Sequence, residues 1–298
     1  KKLSLKKCQI PKIIHELWVG GKIPNHKKLF IDHNKKMAKM VGWDFYLWTN
    51  KDLTPKKFPI TYPYIQKSIE SARLLAEKEK KEKKISKKRS DKVLNSRWAQ
   101  VSDLMRLEII YTYGGFYLDT NVEIIRDLNE LYSKIDGNFT MVVANQEPCG
   151  LDCNDGKGKY YISNGFFGAT KGNMMLKKAL SKKNLDKINF DRIHINQETG
   201  PYYFRKFINP KKTLVLGQKS IYPFFLPEWY SEYIDDEEKE SNRCIKNSRK
   251  EAEKNKGKGE VYAINTCFGK QYLIHPCKEY EDSFMMNHAI GGSWGIFE

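Results

Sequence analysis

Residues 102–122 read SDLMRLEIIYTYGGFYLDTNV, and they constrain the fold more than any other stretch of the chain. An amphipathic helix runs into a double glycine, Gly114 and Gly115, and an aromatic strand, Phe116-Tyr117-Leu118, comes at once after it. Glycine is the residue that closes a helix in the left-handed conformation, so the pair marks an abrupt switch from helix to strand. The strand ends in Asp119-Thr120-Asn121. Side chains at i and i+2 of a strand share a face, so Asp119 and Asn121 can address one point. Two oxygen-bearing side chains at a strand end suit a hard divalent cation carrying a diphosphate. An Asx-type turn closing an edge strand draws on the same residue types.

Around that run the pattern alternates. Strands are expected over 10–19, 43–49, 139–145 and 161–169, with short strands over 116–118 and 122–125 on either side of the D-x-N turn. Helices are expected over 26–40, 61–84, 96–113, 174–182 and 201–207. Such alternation predicts an α/β fold with a mostly parallel sheet flanked by helices, whose ligands gather at the carboxyl ends of the strands. Trp18-Val19-Gly20-Gly21 and Asp119-Thr120-Asn121 both fall at such ends.

The 298 residues suffice for one large core, so a single domain over 1–298 is expected, with charged insertions about 77–92 and 235–258. A chain that is 40% hydrophobic and 13% aromatic is not generally disordered. No apolar stretch approaches the ~18 to 20 residues that span a bilayer, and KKLSLKK is not a signal peptide. A cytoplasmic location, with or without peripheral membrane attachment, is the expectation. The Golgi lumen or secretion is the alternative if a targeting segment has been removed.

Lys and Arg number 53 against 36 Asp and Glu, a net charge of +17. Much of the excess lies in the two charged tracts, and neither carries the interleaved aromatics of a surface that stacks single-stranded nucleic acid. No nucleic-acid partner is therefore expected. The tracts read as solvated insertions or, in a second reading, as an attraction to an anionic membrane surface or an acidic acceptor. Six scattered cysteines show no paired zinc spacing, and Cys149 and Cys153 stand alone as a near pair. Reduced thiols are expected. Residues 152–158, DCNDGKG, lack the sixth-position glycine of a calcium loop and read as a surface turn.

The central run resembles the sugar-binding segment of retaining glycosyltransferases with a DxD motif. These include Golgi initiating mannosyltransferases, bacterial capsule and lipooligosaccharide transferases, and the glucosyltransferase domains of clostridial toxins. Ser102, Asp103, Arg106, Tyr113, Gly114, Gly115, Tyr117 and Asp119 fall on the family's pattern; its second Asp is Asn121 here. The resemblance extends to Ile10-Pro11-Lys12-Ile13-Ile14-His15, to Trp18-Val19-Gly20-Gly21 and to WDFYLWT over 43–49. It continues in Ser163-Asn164-Gly165-Phe166-Phe167, Thr199-Gly200-Pro201 and the terminal His288, Ser293 and Trp294. Six blocks in order are a far more specific signal than one short motif.

The resemblance implies a GT-A fold of Rossmann-like type. It implies transfer of a hexose from a nucleotide diphosphate sugar, with UDP-hexose favoured, to a hydroxyl of a glycan or protein acceptor. It also implies retention of configuration and Mn²⁺ or Mg²⁺ as cofactor. Trp18, with Val19 and Gly20, becomes the platform for the base; a core tryptophan is the alternative. Asp103 and Arg106 become contacts to sugar and diphosphate, although three residues apart on a helix they also suit a plain ion pair. Tyr117 supports the nucleotide or cation, or else packs in the strand. Asp119, Asn121, His288 and Ser293 become cation ligands, Ser293 and Trp294 also reach the diphosphate, and Asn164 meets donor sugar or acceptor. Asn121 brings no charge, so a weakened or inactive nucleotide-sugar binder stays open as a second reading, and a basic nucleic-acid-binding protein as a third.

Overall fold

The computed structural model describes residues 7–81, 87–147, 161–190, 195–217, 220–222, 262–265, 271–274 and 284–287. In chain order these form β1 (Ile13–Trp18), α1 (Asn25–Met40), β2 (Asp44–Thr49), α2 (Tyr62–Lys81), α3 (Lys87–Tyr113), β3 (Gly115–Leu118), β4 (Val122–Ile124) and α4 (Leu128–Ser133). Next come β5 (Met141–Glu147), β6 (Tyr161–Ala169), α5 (Met174–Ala179), α6 (Lys182–Leu185), α7 (Ile195–Glu198), α8 (Pro201–Arg205) and β7 (Thr213–Leu216). Three short strands close the series: β8 (Tyr262–Asn265), β9 (Gln271–Ile274) and β10 (Met285–Asn287).

Six strands make the central sheet in the order β2-β1-β3-β6-β5-β7. The β1–β2, β1–β3 and β5–β7 pairs are parallel, and β6 alone runs against its neighbours β3 and β5. This is the mostly parallel, helix-flanked sheet that the alternation predicts. The strands are rich in β-branched and aromatic residues, and β3 is buried at all four positions, as a strand covered on both faces must be.

One core layer gathers Leu17, Leu104, Tyr117 and Phe167 with residues of α2, α3, α5 and α8. The other gathers Ile14, Phe116, Leu118 and Phe166 with α1 and α4. Alternate residues of β1 and β3 therefore divide between the faces, and α1 and α3 lie on opposite sides of the sheet.

The glycine pair does what its sequence demands. Gly114 and Gly115 have φ of 70° and 94°, and the Gly114 N–H donates to Ile110 O to finish α3. A Cβ on Gly115 would lie 2.6 Å from Ile13 O, so the chain turns into β3 hard against β1. α3 begins nine residues earlier than expected, because the lysines and arginines of the charged tract are good helix formers. The 77–92 tract thus lies partly in the ends of α2 and α3, and 235–258 lies outside the described residues. Among the described residues no helix is long and apolar enough to cross a membrane. Cys8 is buried with a free thiol; the other five cysteines and the 152–158 turn lie outside them.

Candidate active site

Three segments converge where β1 and β3 end. The first is α3, whose buried face carries Asp103 and Arg106 on successive turns. Both are enclosed, at 0% and 3% exposure. Arg106 donates through Nη1 to Asn164 O at 2.8 Å and through Nη2 to Ser102 Oγ at 2.8 Å. Its Nη1 lies 3.1 Å from Asp119 Oδ1, nearer than the 3.5 Å between Nη2 and Asp103 Oδ1. The guanidinium also lies over the Tyr117 ring, 4.5 Å from its centroid. Burial alone would lower its pKa, but Asp119, Tyr117 and Asp103 hold it above its ordinary value. Arg106 is thus a fixed, permanent cation rather than half of an i,i+3 pair.

Asp103 is held from the other side as well. Asn164 Nδ2 donates to its Oδ1 at 2.7 Å, and Thr199 Oγ1 donates to its Oδ2 at 3.0 Å. Burial pushes the carboxyl up to about 6, although Arg106, Thr199 and Asn164 each pull it down. Thr199 gives the Thr-Gly-Pro block a physical role that its motif alone does not disclose. In this conformation Asn164 and Thr199 cover Asp103.

The second segment is the β3 end. Tyr117 is buried, and its hydroxyl donates to Asp119 Oδ1 at 2.8 Å, so it both packs in the strand and holds the acidic residue. The Asp119 N–H donates to Gly165 O, and the Val122 N–H closes the turn on Asp119 O at 2.8 Å. A Cβ on Gly165 would come 2.7 Å from Asp119 Oδ2, so glycine there keeps space beside the carboxylate. Asn121 is partly exposed on the same turn. The pair supplies hard oxygen donors with one carboxylate between them, and they fit a divalent cation by chemistry, more weakly than two carboxylates would. Among the described residues no group of three His, Cys, Asp or Glu gathers to hold a metal.

The third segment is the turn after β1. Trp18 is half-buried, and its indole N–H donates to Gly21 O at 3.2 Å. Gly20, with φ of 99°, places its backbone flat on Trp98: an added Cβ would fall 2.2 Å from the indole. Its N–H donates to Asn50 Oδ1 at 2.9 Å. Trp98 and Asn50 escaped the sequence reading, although Trp98 lies one helical turn before Ser102 and Asn50 comes directly after β2. Two tryptophans thus border one glycine turn.

His288, Ser293 and Trp294 lie outside the described residues. The strand before them is described: β10 pairs antiparallel with β4, with Asn287 opposite Val122. The chain therefore returns to the D-x-N turn one residue before His288.

Sequence reasoning also missed Glu16 and Lys27. Glu16 in β1 is fully buried, pushed up to about 8 by burial and by Asp119 against the pull of Asn34 and Lys27. Lys27 near the start of α1 is 5% exposed and pushed down to about 8 by burial, with Asp119 and Glu16 opposing that shift.

The α/β sheet thus brings an arginine, two aspartates and a D-x-N turn together at its strand ends. Residues 27–136 match the family model described as the glycosyltransferase sugar-binding region containing a DXD motif. Over those residues the chain is similar to that family. No curated protein matches it. Among solved structures it is similar to the PaToxG glycosyltransferase, at 16% identity and TM-score 0.42, over 68% of this chain and 70% of that one. It is similar also to a glycosyltransferase involved in glycosylating the major capsid of PBCV-1, at 14% identity and TM-score 0.38, over 70% and 83%. A third similarity is to the ligand-free glycosyltransferase domain of the YGT toxin, at 9% identity and TM-score 0.37, over 69% and 79%. At these values no residue role passes from those proteins to this one.

Proposed function

We propose that the protein transfers a hexose from a UDP-sugar to an acceptor hydroxyl on a glycan or protein, with a divalent cation and with retention of configuration. The observation that carries this reading is the Arg106 guanidinium, buried and clamped between Asp119, Asn164 and Ser102 at the strand ends. A preorganised cation at that place stabilises negative charge on a departing diphosphate and needs no rearrangement when the charge develops. Tyr117 holds Asp119 in line, and the Trp18–Gly20–Trp98 turn offers a flat surface for the base.

Asp119 and Asn121 would hold the cation, which when bound supplies further charge neutralisation of the diphosphate. Asp103 fixes the side chains of Asn164 and Thr199 beside Arg106. Asp103, the second carboxylate of the site, is covered by Asn164 and Thr199, so departure and attack on one face of the sugar is the favoured course.

The test uses Asn121→Asp. Restoring an anion gives a charge-assisted contact and should tighten Mn²⁺ binding by about 1 to 3 kcal/mol. Release of UDP from UDP-glucose, UDP-galactose and UDP-N-acetylglucosamine is measured with Mn²⁺ for both chains. A gain with one donor names the sugar. Equal, robust release shows that the amide suffices, and no release from either while UDP still binds replaces the transferase reading with that of a nucleotide-sugar binder.

A further inference from the structure

A sugar ring has an apolar face of C–H groups and a rim of hydroxyls that both donate and accept. A site for one therefore needs an apolar floor with fixed polar groups of both kinds around it. The α3 side of the molecule holds a groove of this kind, between α2 and the segment that follows α6. Its volume of about 490 Å³ falls within the ~300 to 1,000 Å³ of small-molecule sites. Leu185, Ile188 and Phe190 give it an apolar floor, and Leu185, Ile188 and Tyr64 belong to the core layer that Leu104 of α3 also joins.

The polar rim is held in place by its own bonds. Lys182 Nζ donates to Asp186 Oδ2 at 2.7 Å, and the Tyr64 hydroxyl donates to Asp186 Oδ1 at 2.7 Å. Those two bonds hold the Asp186 carboxyl below its ordinary value, so it is an ionised acceptor at neutral pH. Lys67 lies over the Tyr64 ring, 5.2 Å from its centroid, and Lys187 brings a second ammonium to the lining. Ser71 Oγ donates to Phe190 O at 3.0 Å, and the Asn189 N–H donates to Glu198 Oε2 at 3.0 Å. A carboxylate in the wall counts against a phosphate, and fixed charges around the floor count against a wholly apolar occupant. The groove is also tied to the candidate active site. Glu198, which holds Asn189, is followed by Thr199, which donates to Asp103. On α2, Ser68 stands one turn from both Tyr64 and Ser71 and donates to Gln100 Oε1, and Gln100 lies one turn before Asp103 on α3.

We propose that this groove binds the acceptor glycan, with Asp186, Lys187 and Asn189 meeting its hydroxyls and Tyr64 and Phe190 beneath its apolar face. The groove wall and the Asp103 cluster hang on two consecutive residues, Glu198 and Thr199. A sugar chain seated in the groove therefore lies next to the cluster that holds Arg106 and Asn164. Carbohydrate binding by the groove stands by itself; the role of acceptor rests on the transferase reading.

The test keeps the two apart. Maltotriose, cellotriose and chitotriose are titrated by saturation-transfer NMR against the full chain, Asp186→Asn, and Asn189→Trp, which fills the groove. Each protein also receives a melting curve and a calorimetric UDP titration. Asp186 and Asn189 are exposed, so both variants are expected to keep the melting temperature and the UDP affinity of the unaltered chain. One trisaccharide is expected to bind the unaltered chain, to bind Asp186→Asn on the order of tenfold more weakly, and not to bind Asn189→Trp. Where Asn189→Trp shifts the melting curve, Lys187→Ala takes its place, with a loss again on the order of tenfold. Failure of all three trisaccharides to bind, or equal binding to the folded variants, overturns the proposal and leaves the reading of the donor site untouched. A trisaccharide that binds through the groove of a chain that does not bind UDP keeps the groove as a carbohydrate site and removes the transferase reading instead.

Discussion

Asp103 shows how a single residue trades stability for function. Its carboxyl titrates at about 6 in the fold against an ordinary 3.8, because burial outweighs the help of Arg106, Thr199 and Asn164. Below about pH 4 both folded and unfolded chains carry the proton, and the burial costs nothing by this route. As pH rises from about 4 to 6 the unfolded chain loses its proton first. The fold is then penalised by an amount that is complete above about pH 6. A shift of roughly two pH units corresponds to about 3 kcal/mol. Asp103→Asn keeps an oxygen for Asn164 and removes the charge. It should therefore melt higher than the unaltered protein at about pH 7.5 and match it at about pH 4. UDP-sugar turnover should fall by on the order of a hundredfold, since Arg106 and Asn164 lose the charge that orients them. Paired melting curves at the two pH values, with a turnover assay, decide it; a variant less stable at the higher pH contradicts the account.

At the scale of elements, the turn after β1 and the middle of α3 act as one unit. Gly20 is pressed on Trp98, so each fixes the other, and Trp18 flanks the same turn. Trp18→Ala and Trp98→Ala should each weaken UDP binding by roughly 1 to 3 kcal/mol, the range for loss of a base-stacking partner. Calorimetry with UDP reads this directly, and an unchanged affinity with an intact melting curve makes the residue a core packer. The same elements divide into those legible in the sequence and those not. The helix–glycine–strand switch, β1, β2 and β6 were visible because each is a strong local pattern. β7 was not, since a four-residue edge strand, Thr-Leu-Val-Leu, is too short to carry a period, nor was α4, a six-residue helix that depends on its Asp127 cap. Asp103, Arg106 and Asp119 were legible because a spaced motif carries them. Trp98, Asn50, Glu16 and Lys27 were not, because their meaning comes from neighbours distant in sequence. Gly20 supplies it for Trp98 and Asn50, Asn34 and Asp119 for Glu16, and Asp119 for Lys27.

Across the whole molecule, β7 ends the central sheet and β10 returns the chain to β4. The Phe284 carbonyl accepts from the Ile125 and Arg126 N–H groups, and Asn287 lies opposite Val122. That return brings the described chain to Asn287 beside the D-x-N turn, and the resemblance assigns His288 to the cation and Ser293 and Trp294 to the diphosphate. Among the described residues the core is built ahead of the last ten: the six strands of the sheet lie between Ile13 and Leu216, and β10 with Phe284 packs on β4. Removing residues 289–298 should therefore leave the melting temperature within a few degrees of the full chain's, since a ΔΔG near ~1 kcal/mol moves a domain of this size by roughly 2 to 4 °C. Turnover of the UDP-sugar should vanish. The enhancement of UDP binding by Mn²⁺ should shrink, because the glycine-flanked segment at Gly291, Gly292 and Gly295 suits ordering on the donor's diphosphate. Calorimetric UDP binding with and without Mn²⁺, for the full and shortened chains, checks it. A shortened chain that keeps full turnover removes Ser293 and Trp294 from the active site and leaves Arg106 as the main cation facing the diphosphate.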